Sequence, residues 1–317
     1  MLTLSLTSAP AMLFLALSLS LGLTPEDKLR TLEARCSQGA ATACFEAGLV
    51  YDKEGGDDKS KALTLYDKAC GGRDLRGCNS MGVALRRGQS VERDLKRALA
   101  LVRQACEGKL AVGCFNWAAM LAAGEGVSKD APRAARLFEQ ACDAEYAPAC
   151  SARGNLCFTP NVTKTKSAGN PLACARPYLE RGCTLRDGEG CYNLGLVLQE
   201  LKEANHYVYA AYEKACTFGV AAGCSWQGLM LQTGQGGALS TRGMTPKRAE
   251  QKGAHLMEKA CKQGYPEGCF NAAMAYIKGR GVTKDHQRAG ELLLKACSGG
   301  VNQACTILER QKKPKRR

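Results

Sequence analysis

Eighteen cysteines in 317 residues are the side chains with the most chemistry open to them. A thiolate can attack a substrate, two thiols can close a disulfide, and four can hold zinc. Sixteen of them form eight pairs with one constant gap of seven residues: Cys36 and Cys44, Cys70 and Cys78, Cys106 and Cys114, Cys142 and Cys150, Cys183 and Cys191, Cys216 and Cys224, Cys261 and Cys269, Cys297 and Cys305. Zinc sites favour knuckles of two to four intervening residues, often with histidine. The only histidines are His206, His255 and His286, each isolated in the chain. The pattern therefore points to disulfides and to an oxidising compartment. Bridged sulfurs are not thiolates, which removes a Cys/His nucleophile. The serine route to β-lactam hydrolysis is not legible either. No serine has lysine three residues later, there is no S-D-N, and "KTK" at Lys164–Lys166 is not K-T-G.

The elements that carry these cysteines repeat. Successive pairs step by 34, 36, 36, 41, 33, 45 and 36 residues, a period expected of a helical solenoid. The unit from Gly113 to Cys142 is typical. Its apolar run from Cys114 to Ala122 predicts a first helix, and "GEGVSKD" (Gly124–Asp130) is turn chemistry. Asp130 can cap a second helix with Pro132 in its first turn, and Ala134, Ala135, Leu137, Phe138 and Ala141 give that helix an apolar stripe. The same turn returns as "GRGVTKD" at Gly279–Asp285. In each unit the first cysteine ends a second helix and the second opens the next first helix. A pairing rule that repeats with the unit joins each cysteine to its near partner. Each such loop adds about 2–3 kcal/mol in the chain-entropy account. Cys157 and Cys174 remain, and a ninth bridge is expected to close the polar segment "FTPNVTKTKSAGNPLA" between them. That segment and "GQGGALSTRGMTPKRAEQ" from Gly234 read as inserted surface loops.

Residues 11–23, "AMLFLALSLSLGL", are too short for a membrane span and suit the core of a signal peptide, with Ser18, Ser20 and Gly22 offering small residues for cleavage. No Lys or Arg precedes the run, and no cysteine follows it closely enough for a lipid anchor. Residues 1–24 are read as this segment, 25–308 as the solenoid of about seven repeats with partial end units, and 309–317 as a basic tail. Net charge is +14, of which Lys312, Lys313, Lys315, Arg316 and Arg317 supply five. The remaining charge is spread along the chain with no basic–aromatic groove pattern, so nucleic acid is not an expected partner. No integral span is expected in the mature chain.

The helix hairpins with "GxGVxKD" turns and "A-C-x7-C" junctions, over about Asp27 to Leu308, resemble Sel1-like repeats, relatives of the tetratricopeptide hairpin. The cysteine-clipped form is similar to the Helicobacter cysteine-rich proteins and to a mitochondrial intermembrane-space assembly factor for cytochrome oxidase. The resemblance implies an all-α, right-handed superhelical α/α solenoid, periplasmic or secreted, that binds a peptide or protein on its concave face as a monomer and without a cofactor. Some relatives carry the label penicillin-binding protein or weak β-lactamase, so a hydrolase is the alternative that the resemblance implies, with no catalytic residue to name.

Two positions after the first seven helix-opening cysteines stand Glu46, Ser80, Asn116, Ala152, Asn193, Trp226 and Asn271. An amide donates and accepts together, so Asn116, Asn193 and Asn271, with Trp226, form the candidate peptide-binding set. The same amides could equally bond between helices. Trp117 and Trp226 suit core or groove wall, and Tyr66 and Tyr212 suit packing.

Intact mass with and without reduction tests this reading directly. Alkylation of the native protein should add nothing, and alkylation after reduction should add eighteen labels, while the starting mass reports removal of the leader.

Overall fold

The computed structural model describes residues 24–54, 58–159, 170–235 and 243–312. Residues 1–23 of the signal-like segment, residues 55–57, the middle of both inserts (160–169 and 236–242) and residues 313–317 lie outside them. The chain divides into two compact units, residues 1–113 and 114–317. In the first, α1 (Pro25–Ser37), α2 (Ala41–Glu54), α3 (Asp58–Gly71), α4 (Leu75–Arg87) and α5 (Leu95–Glu107) each pack on the next along the chain. Helix α6 (Ala111–Ala123) crosses the boundary. The second unit holds α7 (Ala131–Asp143), α8 (Ala147–Asn155), α9 (Pro171–Thr184), α10 (Gly188–Glu200), α11 (Asn205–Thr217) and α12 (Ala221–Thr233). It continues with α13 (Pro246–Lys262), α14 (Pro266–Lys278), α15 (His286–Ser298) and α16 (Asn302–Lys312). Among the described residues there is no strand, and no helix is long and apolar enough to cross a membrane.

One three-residue reversal recurs at every junction. The residue three after the first cysteine takes positive φ each time, as at Arg73 (69°), Glu145 (60°) and Gly219 (92°). Its N–H bonds the carbonyl of that cysteine, and the next N–H reaches one residue further back, as in Arg73 N–H to Cys70 O (2.9 Å) and Asp74 N–H to Ala69 O (2.9 Å). This double bond to the helix end is a Schellman cap. It aims the next helix back along the last one and sets the paired cysteines face to face. Bridges close at Cα separations of 4.4–4.8 Å for seven of the pairs, and Cys106 and Cys114 are disulfide-bonded as well. Cys157 pairs with Cys174 at 5.9 Å, and among the described residues no cysteine is free.

So close a reversal needs small residues. A Cβ on Gly77, just before Cys78, would lie 2.6 Å from the Ala69 Cβ and 2.7 Å from the Tyr66 carbonyl oxygen. Four residues after the second cysteine the two helices of a hairpin touch backbone to backbone: a Cβ on Gly228 would lie 2.6 Å from the Gly253 carbonyl oxygen. At three of the hairpins an aspartate side-chain cap sets the other end. Asp94, Asp130 and Asp285 accept from the N–H groups of Arg97, Arg133 and Arg288. Gly124 and Gly126 take φ of 78° and 70° in the first glycine turn.

Several sequence expectations need correction. Both inserts end in helix earlier than read. Asn170 caps α9 from Pro171, so Leu172 and Ala173 belong to its first turn, and Thr245 caps α13 from Pro246, so "PKRAEQ" is helical. A cap followed by proline at the first helical position was the signal for both starts. Residues 309–312 of the basic tail continue α16, since no proline or glycine interrupts the helix before Lys312.

Tyr66 and Tyr212 fill the core, at 3% and 0% exposure. Burial pushes both phenols well above their ordinary range, with the Asp52 charge adding to the shift at Tyr66. The unfolded chain ionises its tyrosines near pH 10 and the folded chain later, so this stability is complete below about pH 10 and is lost as pH rises further. Denaturant titrations between pH 9 and 11.5 should show the decline, with tyrosinate absorbance lagging behind that of the unfolded chain. Two substitutions should move stability in opposite directions. Glu145→Gly relieves a left-handed residue that costs about 1 kcal/mol and should raise the melting temperature. Gly228→Ala gains about 1 kcal/mol of helix propensity but meets backbone, an overpacking cost of about 1–3 kcal/mol, and should lower it. Thermal unfolding followed by circular dichroism checks both.

Candidate functional site

The repeat is least regular around α8, α9 and α10. Helix α8 has only nine residues and runs into a 3-10 turn, Leu156–Phe158. The Cys157–Cys174 bridge ties that turn to the first turn of α9. Asn170 Oδ1 accepts from Leu172 N–H at 2.9 Å and fixes where α9 begins. Between these elements and α10 lies an open groove of about 500 Å³.

Its lining follows helical spacing. Asn193, Leu196, Val197 and Glu200 fall on one face of α10, and Leu172 and Leu179 lie two turns apart on α9. Phe158 stands at the wall with 51% of its surface exposed, and Asn155 completes the rim. Asn193 Nδ2 donates to Asn155 Oδ1 at 3.1 Å. That bond uses one of the two N–H donors of Asn193 and one lone pair of Asn155, so the pair keeps both donors and acceptors for a ligand. An apolar floor with a few polar groups converging on it is the usual composition of a binding site.

Beside Cys157 lies a polar cluster built on the buried Arg153. Arg153 is 8% exposed, stacks over the Tyr178 ring at 4.5 Å and donates through Nη1 to Cys157 Sγ at 3.4 Å. Glu139 Oε2 lies 3.6 Å from Arg153 Nε, which makes no hydrogen bond. Tyr178 Oη donates to Glu139 Oε1 at 2.8 Å, and burial is the main cause of its raised pKa, so it keeps its proton.

The remaining candidate residues are distributed through the fold. Asn271 Nδ2 donates to Ser225 Oγ at 3.1 Å, joining α14 to α12 much as Asn193 joins α10 to α8. Asn116 is 9% exposed within α6. Trp226 is half-buried and stacks on Tyr212 with ring centroids 5.7 Å apart. Trp117 is buried under the Arg133 guanidinium at 4.7 Å. Of the named set, the groove includes Asn193 alone; Phe158, Leu196 and Glu200 went unread in the sequence, although the spacing 193, 196, 197, 200 was there to find. The three histidines sit on α11, α13 and α15, and among the described residues no group of three or more His, Cys, Asp or Glu could hold a metal.

Known proteins place this architecture. Residues 41–72, 75–110, 111–146, 228–265 and 266–301 match the Sel1 repeat, more than half of the chain. Cytochrome c oxidase assembly factor 7A of Xenopus laevis is 32% identical over 110 residues, 33% of this chain and 44% of that protein. The chain thus spans less than half the length of the assembly factors it matches. A Sel1 repeat protein of Oxalobacter formigenes shares the fold at TM-score 0.67 and 23% identity, over 80% of this chain and 99% of that one. Helicobacter pylori cysteine rich protein B is 26% identical over 41% of this chain and 98% of its own, at TM-score 0.35. With its recurrent hairpins, its clipped junctions and five matched repeats, the chain belongs to the Sel1 repeat family.

Proposed function

We propose that the protein is an exported, disulfide-stapled scaffold that binds an extended peptide segment of a partner protein in the groove between α8, α9 and α10. Sel1 repeats generally mediate protein interactions. The observation that carries the reading is the groove itself, an apolar floor of Leu172, Leu179, Leu196 and Val197 under the Asn155–Asn193 amide pair. An amide pair bonds the backbone N–H and C=O of an extended chain whatever its side chains, and the floor takes an aliphatic or aromatic anchor. Asn116, Asn271 and Trp226 hold the corresponding position on their own first helices and are the further candidates for contact. Full bridging of the cysteines supports an oxidising address, the periplasm or the outside of the cell, where such bonds persist. The chain acts as a monomer and needs no cofactor for this.

No observation favours hydrolysis. The sulfurs are bridged, and the groove lining contains neither serine nor histidine.

A random-peptide phage display on the oxidised full chain should enrich sequences with an apolar anchor. Leu196→Glu should weaken their binding at least tenfold by calorimetry, a change of about 1.4 kcal/mol or more. Asn193→Ala should weaken it less. Enriched peptides that bind Leu196→Glu unchanged, or nitrocefin turnover at catalytic rates by the pure protein, would overturn the reading.

A further inference from the structure

The Cys157–Cys174 bridge stands apart from the others in three respects. It is the pair outside the repeating seven-residue gap. Cys157 is 1% exposed while Cys174 is half-buried, so a reagent meets one sulfur before the other. And the concealed sulfur receives a guanidinium hydrogen bond, Arg153 Nη1 to Cys157 Sγ at 3.4 Å.

The arginine is itself a departure from the repeat. Three residues after the second cysteine, other units place Ala47, Met81, Trp117, Leu194 and Ala272, all buried. Gln227 fills the slot in one unit and is satisfied by the Tyr209 hydroxyl at 2.9 Å. Arg153 puts a charge there, and burying one is costly without a tight partner. Its nearest carboxylate oxygen, on Glu139, stays 3.6 Å from Nε, which has no hydrogen bond. A guanidinium left incompletely neutralised beside a sulfur stabilises negative charge on that sulfur.

We propose that Cys157–Cys174 is a thiol–disulfide exchange site, attacked at Cys174 by a dithiol and releasing Cys157 as a thiolate held by Arg153, while the junction bridges are structural. One thiolate of the dithiol attacks Cys174 Sγ, forms a mixed disulfide and breaks the Cys157–Cys174 bond. The electron pair leaves on Cys157 Sγ. The second thiolate of the dithiol then attacks its own sulfur in the mixed disulfide, closing the dithiol's disulfide and expelling the Cys174 thiolate. Two electrons pass from the dithiol to the protein, and the two protein thiolates take up protons through water, equal in number to the two that the dithiol gives up on ionising. Exchange is faster when the leaving thiol is the more acidic and when the attacked sulfur is open, and this pair combines the two. Each condition occurs alone elsewhere. Lys259 Nζ lies 3.8 Å from Cys216 Sγ, but Cys216 and Cys224 are 4% and 0% exposed. Cys297 and Cys305 are both half-buried, yet among the described residues no basic side chain bonds either sulfur.

The bridge also pins the turn bearing Phe158 to the helix bearing Leu172, two walls of the groove. Its opening frees those walls from one another. Exchange is read on the sulfurs alone, so its failure and that of peptide binding are separate outcomes.

The test uses the oxidised full chain. Brief exposure to reduced glutathione at neutral pH, trapping with N-ethylmaleimide and peptide mapping should find glutathione on Cys174 and maleimide on Cys157. With dithiothreitol, this bridge should open at least tenfold faster than Cys297–Cys305 and before every junction bridge. Arg153→Gln, which keeps the length and removes the charge, should slow this opening severalfold and leave Cys297–Cys305 unchanged. If that variant does not fold, the position of the adduct in the natural chain still decides. Glutathione on Cys157, opening no faster than Cys297–Cys305, or a folded Arg153→Gln chain with the natural rate would each overturn the proposal.

Discussion

A helix that ends in a Schellman cap with only three residues before the next helix leaves the chain little choice of direction. The left-handed residue at Arg73, Glu145 or Gly219 turns the backbone, and the two cap bonds satisfy carbonyls that a helix end would otherwise expose. Everything else at a junction follows from that reversal. It brings two backbones so close that Gly77 has no room for a Cβ, and it sets two cysteine Cα atoms about 4.5 Å apart, as at Cys70–Cys78. The disulfide is thus placed by the turn and then holds it. That four of the eight left-handed residues are Arg, Lys, Glu and Arg rather than glycine says the turn tolerates some strain.

The need for a covalent clip comes from how little each hairpin buries. The core between helices is largely alanine and cysteine, as at Ala98, Ala105 and Cys106 or Ala134, Ala141 and Cys142, with a few larger side chains per unit, such as Met81, Leu85 and Val102. Small side chains permit close helices and contribute little hydrophobic free energy, near 25 cal/mol per Å² of apolar surface removed from water. A repeat touches only its neighbours, so a weak interface anywhere weakens the array. Loop closure adds about 2–3 kcal/mol at each junction in the chain-entropy account. The clip works on the unfolded chain, which is why it can be spread evenly without perturbing the surface.

Much of this was legible because it repeats. The cysteine gap, the "GxGVxKD" turns and the capping Asp130 recur in register, and recurrence turns weak local signals into a firm pattern. Helix starts inside the two inserts were missed, since the polar residues around Pro171 and Pro246 resemble loop until the cap is recognised. The asparagines were read as a peptide-binding set or as bonds between helices, and which of the two an amide serves depends on lateral spacing that sequence does not encode. Asn193 and Asn271 both reach sideways. The groove was invisible for a related reason. Its walls come from a shortened helix, a 3-10 turn and the delayed start of α9, so its shape is a product of irregularity.

That irregularity is where specific chemistry can reside. A repeating unit has to satisfy its own neighbours at every step, which commits its buried positions to packing and its cysteines to clipping. Residues 150–183 escape this requirement: the step there lengthens to 41, α8 stops after nine residues, and the freed sequence supplies an extra cysteine pair. An arginine in a slot otherwise apolar or neutral would only destabilise a regular repeat. Here it lies between a tyrosine ring, a carboxylate 3.6 Å away and a sulfur. The junctions bind their residues to packing and clipping, and the irregular segment is released from that requirement.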